Sequence, residues 1–277
     1  MSFTLYNYVL SGNCYKVRLL ASLLDVKYES VSVDFHPGQE HKSEPLLRLN
    51  PAGTLPILVI NQSSNNGSSN GAGNDAGTGN DTVLTETQAM LVWLAQHHDS
   101  TNRWWPADDK NKIPLVMQWL GFASRLSATV GELRLHSMLN KTINVPAAKA
   151  GSKNALRELE SRLTEQRIHD NIWLTGDTPT VADIACFPYA ALSPDAGIEH
   201  DDYPELRSWL HAIRSLPGFV TIPGIYELHE LRDPESPIVR VNAESESTIG
   251  DASPAQSEDS TTGSAADSTT GTTKAAK

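Results

Sequence analysis

Three short stretches hold the residues best suited to chemistry. The first is Leu10-Ser11-Gly12-Asn13-Cys14. Ser11 stands where a serine caps a helix. Cys14 follows in the first turn, where a thiolate is stabilised. It also continues an apolar stripe of Val17, Ala21 and Leu24, as a buried small residue would. The second stretch is Asn50-Pro51-Ala52-Gly53-Thr54-Leu55-Pro56, followed by the apolar run Ile57 to Ile60. Pro56 has no N–H to give a sheet, so it suits the start of a strand. A cis Leu55–Pro56 bond would turn the Leu55 backbone outward, and an extended peptide could pair with its N–H and C=O as an added strand. The third is Leu84-Thr85-Glu86-Thr87-Gln88-Ala89-Met90. A strand ends there and a helix begins, and a helix start suits a carboxylate ligand.

The elements that must position these residues follow from periodicity. Thr4-Leu5-Tyr6 reads as a first strand, the residues after Cys14 as a helix, and Lys27 to Val33 as a second strand, together a βαβ unit. Pro37-Gly38 turns the chain. Lys42 to Leu49 makes a short helix that stops near Asn50, before Pro51. A strand after Pro56, another near Val83 and a helix from Glu86 to about His97 complete a βαβαββα order. Gln62 to Asp81 is almost wholly Asn, Gly, Ser, Thr, Asp and Ala and reads as a flexible insertion at a hairpin tip. Beyond Trp104-Trp105-Pro106 the spacing is helical: Pro114 to Leu139, about Ala147 to Arg167, Ile184 to Leu192, and Pro204 to Leu216. Thr180 with Asp183 forms a capping box in which Asp183 supports the fold and does no chemistry. After Pro234 the composition is that of a disordered tail.

A proline-opened strand followed by a strand–Glu-Thr–helix junction resembles the glutathione site of the glutathione S-transferase family. The resemblance runs from about Phe3 to Gly224 and is to cytosolic members with a serine-type site, theta-, phi- or tau-like. It implies a thioredoxin-like N-terminal domain over residues 1–100 and an all-helical C-terminal domain over 101–234, followed by a tail over 235–277. Ser11 matches the serine whose hydroxyl donates to the glutathione sulfur. The need is physical: a free thiol has a pKa of about 8.5 and only its thiolate is a strong nucleophile. A hydroxyl donor and a helix N-terminus both favour the anion. Cys14 is the rival, since some branches form a mixed disulfide near here, and Tyr6 and Tyr8 stand where other branches use a tyrosine. His41 and Lys42 match residues that reach the glycine carboxylate of glutathione. Leu55 and Pro56 match the backbone-pairing element. Glu86 matches the residue that meets the γ-glutamyl ammonium, and Thr87 the one that takes its carboxylate.

Composition narrows the remaining choices. The 277 residues carry a formal net charge of −11, which argues against nucleic acid or an anionic membrane as partner. Two cysteines, Cys14 and Cys186, make no disulfide framework and fit a reducing compartment. No stretch approaches the ~20 apolar residues of a membrane span, and no His/Cys cluster has metal spacing. The expectation is a cytoplasmic, homodimeric detoxification enzyme that conjugates glutathione to a small hydrophobic electrophile, with no metal or other cofactor. A disulfide reductase using Cys14, and a non-catalytic binding or regulatory protein of the same fold, are the alternatives.

Overall fold

A computed structural model describes residues 2–61 and 81–226. The tail expected over 235–277 and nearly all of the insertion expected over 62–81 lie outside the described residues. Within them the chain first builds four strands: β1 (Ser2–Asn7), β2 (Glu29–Ser32), β3 (Ile57–Asn61) and β4 (Thr82–Leu84). Helix α1 (Gly12–Leu23) joins β1 to β2, α2 (Glu44–Leu49) precedes β3, and α3 (Thr87–His98) follows β4. This is the expected βαβαββα order. The sheet runs β2-β1-β3-β4, with β1 parallel to β2 and antiparallel to β3, and β3 antiparallel to β4.

The strand residues sort by period two onto two apolar faces. Phe3, Leu5, Leu58 and Ile60 join the main core, while Tyr6, Ile57, Val59 and Val83 pack with Val33 and Leu46. Both faces of β3 are covered, which is why its first four residues are all apolar.

The helical half consists of α4 (Lys112–Leu126), α5 (Glu132–Leu139), α6 (Val145–Ile168), α7 (Val181–Ala191) and α8 (Pro204–Arg214). The expected single helix over Pro114–Leu139 is interrupted: Ser127–Gly131 forms a π-helical turn between α4 and α5. Gly131 in this turn lies against the Tyr189 ring, which a Cβ there would meet at 3.0 Å. Helix α7 is buried nearly all round and packs on α1 and α4, so the two halves share one core. The capping box expected at its start is present. Asp183 accepts from Thr180 N at 2.8 Å, Leu174 N at 3.0 Å and Trp209 Nε1 at 2.9 Å. Cys186 lies buried in the same helix, as its apolar setting suggests. Among the described residues no helix is long and apolar enough to cross a membrane.

Candidate functional site

The sheet register brings the three chemically promising stretches to one end. Tyr6, near the end of β1, pairs with Ile57 at the start of β3, and Leu58 pairs with Leu84 at the end of β4. The chain therefore leaves β1 toward Ser11, enters β3 from Leu55-Pro56, and leaves β4 toward Glu86-Thr87 along the same edge. The end of β2 joins them, because Ser32 pairs with Asn7.

Ser11 is the N-cap of α1, with extended φ −76° and ψ 120°. Its Oγ accepts from Cys14 N at 3.2 Å. That bond uses an oxygen lone pair and not the hydroxyl hydrogen, so capping and donation to an anion are compatible in principle.

Cys14 is fully buried, and its Sγ accepts from Tyr8 N at 3.4 Å. Burial pushes the thiol pKa up, against the lowering effects of Ser11, the Tyr8 amide and Arg18. Burial outweighs the helix start here and favours the neutral thiol. Burial of Cys14 weighs against its attack on a substrate.

The Asn50–Leu55 turn is built on one buried side chain. Asn50 Nδ2 donates to Thr54 O at 2.8 Å and to Thr54 Oγ1 at 2.9 Å, and its Oδ1 accepts from Ala52 N at 3.1 Å. Gly53 takes φ +59° inside the turn. The Leu55–Pro56 peptide is cis, as expected. Among the described residues the Leu55 N–H and C=O have no backbone partner.

Glu86 is the N-cap residue of α3, exposed, and its side chain makes no capping bond. Thr87, buried, opens the helix. The start of α3 therefore has no side-chain cap and keeps unpaired N–H groups. Gln88 Nε2 reaches α4 through Ser124 Oγ at 2.8 Å.

His41 and Lys42 lie in a short 3₁₀ turn, Glu40–Lys42, ahead of α2. The His41 ring stacks on Phe35 with centroids 4.2 Å apart, and Phe35 packs on Tyr8 at 5.4 Å. The stack ties this turn to the loop after β1. Burial, helped by Lys42, lowers the His41 pKa, and among the described residues its buried Nδ1 has no hydrogen-bond partner. Lys42 is exposed. Tyr6 faces the α2 side of the sheet, and burial and Glu29 raise its pKa.

The loop carrying Ser11 is gripped from the helical half, which sequence reasoning missed. Buried Arg134 of α5 donates from Nη1 to Leu10 O and from Nε to Asp195 Oδ2 at 2.9 Å. Tyr189 of α7 lies against Gly12, where a Cβ would meet its ring at 2.9 Å. Lys16, one turn into α1, is fully buried. A lysine among the apolar positions Val17, Leu20 and Ala21 was the one visible signal of this arrangement.

Comparison with known proteins now decides the family. Residues 10–97 match the glutathione S-transferase N-terminal domain, and residues 144–212 match the glutathione S-transferase C-terminal domain. The chain belongs to the glutathione S-transferase family. A glutathione S-transferase-like protein, tpcF, of Aspergillus fumigatus is 25% identical over 216 residues, covering 73% of this chain and 87% of that protein. Protein URE2 of Kluyveromyces marxianus is 25% identical over 237 residues, 79% of this chain and 58% of that protein. Among solved structures, a possible glutathione S-transferase from Rhodopseudomonas palustris superposes with TM-score 0.64 at 25% identity, over 79% of this chain and 89% of that one. A glutathione transferase homolog from Lodderomyces elongisporus, solved with two GSH per subunit, superposes with TM-score 0.66 at 23% identity, over 79% and 95%. The shared fold is a thioredoxin-like sheet domain followed by helices.

Proposed function

We propose that this chain is a glutathione transferase with a serine-type site, conjugating the glutathione thiolate to a small hydrophobic electrophile. Glutathione lies extended along the Leu55 backbone and pairs with its free N–H and C=O. Its γ-glutamyl carboxylate takes Thr87 and the start of α3, and its ammonium meets Glu86. Its glycine carboxylate lies toward His41 and Lys42. The Ser11 hydroxyl donates to the sulfur at the start of α1, and the thiolate attacks the electrophile: a leaving group departs with its bonding pair, or, for an enal, the enolate formed takes a proton from water. Glutathione is the co-substrate, with no metal or other cofactor. The setting is a cytoplasmic homodimer acting in detoxification.

One observation carries this reading: Ser11 caps the helix start at the site end of the sheet while Cys14 is fully buried. Burial of Cys14 weighs against the reductase alternative. The non-catalytic alternative draws support from the cap itself, since the bond to Cys14 N gives Ser11 a structural role sufficient to explain a serine there. The test is calorimetric titration with glutathione beside turnover of a panel of chloronitrobenzenes and enals. Binding with turnover supports the transferase. Binding without turnover of any electrophile supports the binding protein.

A further inference from the structure

The Lys16 ammonium is fully enclosed between α1, α7 and the π turn. It donates to Ser127 Oγ at 3.2 Å and sits 5.0 Å from the centroid of the Tyr189 ring. Among the described residues no carboxylate pairs with it. Ser127 Oγ in turn lies 3.2 Å from Asn13 Oδ1 and 3.1 Å from Ala123 O, so its one hydrogen goes to either carbonyl. A neutral hydroxyl and an aromatic face do not offset the loss of hydration of a whole charge. The lysine is too deep to extend its tip to water. A helical side chain leans toward the N-terminus, and Lys16 is linked through Ser127 to Asn13 in the first turn of α1, two residues after Ser11.

We propose that Lys16 is the buried electrostatic partner of the glutathione thiolate: its unmatched charge is matched when the peptide binds, ionised, at the N-terminus of the same helix. The proposal rests on the glutathione reading above. Lys16 touches neither substrate nor sulfur. It acts through space and through the Ser127–Asn13 link, as a positioning residue. Ser11 lies about 7 Å from it along the helix axis. At an effective dielectric near 20, a unit charge at that range lowers a thiol pKa by about 1.7 units, roughly fiftyfold more thiolate at fixed pH.

The other groups around the ammonium do not replace the thiolate. Cys186 of α7 faces it, but burial and the nearby Asp183 keep that thiol neutral. The Tyr189 phenol is pushed up to about 12 by burial, with Cys14 and Glu132 adding to the rise against Arg134. Cys14 on α1 is held neutral by burial. From α4, Arg125 is already paired with Glu158 at 2.6 Å, and from α5, Arg134 is paired with Asp195. Burial lowers the Lys16 pKa itself to about 8, so its protonation responds to an arriving anion.

The test uses the full chain and follows thiolate ultraviolet absorbance of bound glutathione against pH. Lys16→Met keeps length and apolar stem and removes the charge. The expected result is a bound-thiol pKa about 1.7 units higher, with affinity for S-methylglutathione unchanged. A Lys16→Met protein that binds glutathione with the thiol pKa of the unchanged protein overturns the proposal and leaves the glutathione reading standing. If Lys16→Met does not fold, the unchanged protein with isotope-labelled lysine answers the question by nuclear magnetic resonance. The Lys16 titration midpoint should be higher in the glutathione complex than in the S-methylglutathione complex, and equal midpoints overturn the proposal. An unchanged protein that binds no glutathione overturns both readings.

Discussion

Arg134 joins the helical half to the Ser11 loop through a single carbonyl, that of Leu10, the residue before Ser11. Its other contact, Nε to Asp195 Oδ2 at 2.9 Å, holds the guanidinium in place. The loop that presents the hydroxyl is therefore fixed by a residue more than 120 positions away. Arg134→Met removes both bonds and leaves Asp195 without its cation. Loss of one member of a buried pair costs about 3–5 kcal/mol, and Asp195 is partly exposed, so the expected loss is about 2–3 kcal/mol, measured by urea denaturation. Conjugation should fall with it even where the protein stays folded.

Ser11→Ala and Cys14→Ser separate the two candidates for thiol chemistry. Ser11→Ala loses a helix cap, about 1 kcal/mol, and a donor to the sulfur. Removing one anion donor costs ~10²-fold or more in oxyanion sites; a thiolate is larger and softer, so about tenfold in kcat/KM is expected. Cys14→Ser should leave the rate within about twofold and lower stability by about 1–3 kcal/mol through a buried hydroxyl. Steady-state kinetics beside thermal melts distinguish the two. Inactive Cys14→Ser with active Ser11→Ala would reverse the assignment.

The free Leu55 amide and carbonyl predict how the peptide is held. A glutathione analogue methylated on its cysteinyl nitrogen cannot donate to the Leu55 carbonyl. One lost hydrogen bond is worth about 0.5–1.5 kcal/mol, with a further cost of about 1–3 kcal/mol for a partner left unsatisfied. The expected loss is about tenfold in affinity by calorimetry. Equal affinities would place the peptide elsewhere.

Lys16 should cost stability in the unliganded protein. Its pKa falls from 10.5 to about 8 on folding, because burial penalises the ammonium. Below pH 8 both folded and unfolded chains carry the proton, and the whole penalty, roughly 3 kcal/mol, is present. Between pH 8 and 10.5 the unfolded chain binds more protons, so stability rises with pH. Lys16→Met should therefore be more stable than the parent at pH 7, with the difference shrinking toward pH 10.5. Chemical denaturation at several pH values reads this. A core lysine that merely supported the fold would give a less stable variant at every pH.

Much of this architecture is legible in the sequence because its signals are local. Pro56 before an apolar run, Pro51 after a short helix, and Thr180 with Asp183 each state an element boundary through backbone chemistry that no tertiary contact overrides. The helix expected over Pro114–Leu139 was legible in extent but not in pitch. Within the π turn at Ser127–Gly131, Gly131 lies against Tyr189, nearly 60 positions further on. The grip of Arg134 on Leu10 and the Lys16–Ser127–Asn13 link were invisible for the same reason: each joins residues more than 100 positions apart. The thiol of Cys14 was the ambiguous case. Its place in the first helical turn argued for reactivity and its place on the apolar stripe for burial, and packing settled it for burial.

The most direct test of the glutathione reading is the ionisation of bound glutathione in the unchanged protein and in Ser11→Ala, followed by thiolate absorbance from acid to alkaline pH. Ser11 as donor at the start of α1 predicts a thiol that ionises well below the free value of about 8.5 in the unchanged protein, and closer to that value in Ser11→Ala, with glutathione still bound in both. A thiol that ionises at its free value in the complex, or at the same lowered value in both proteins, would contradict it.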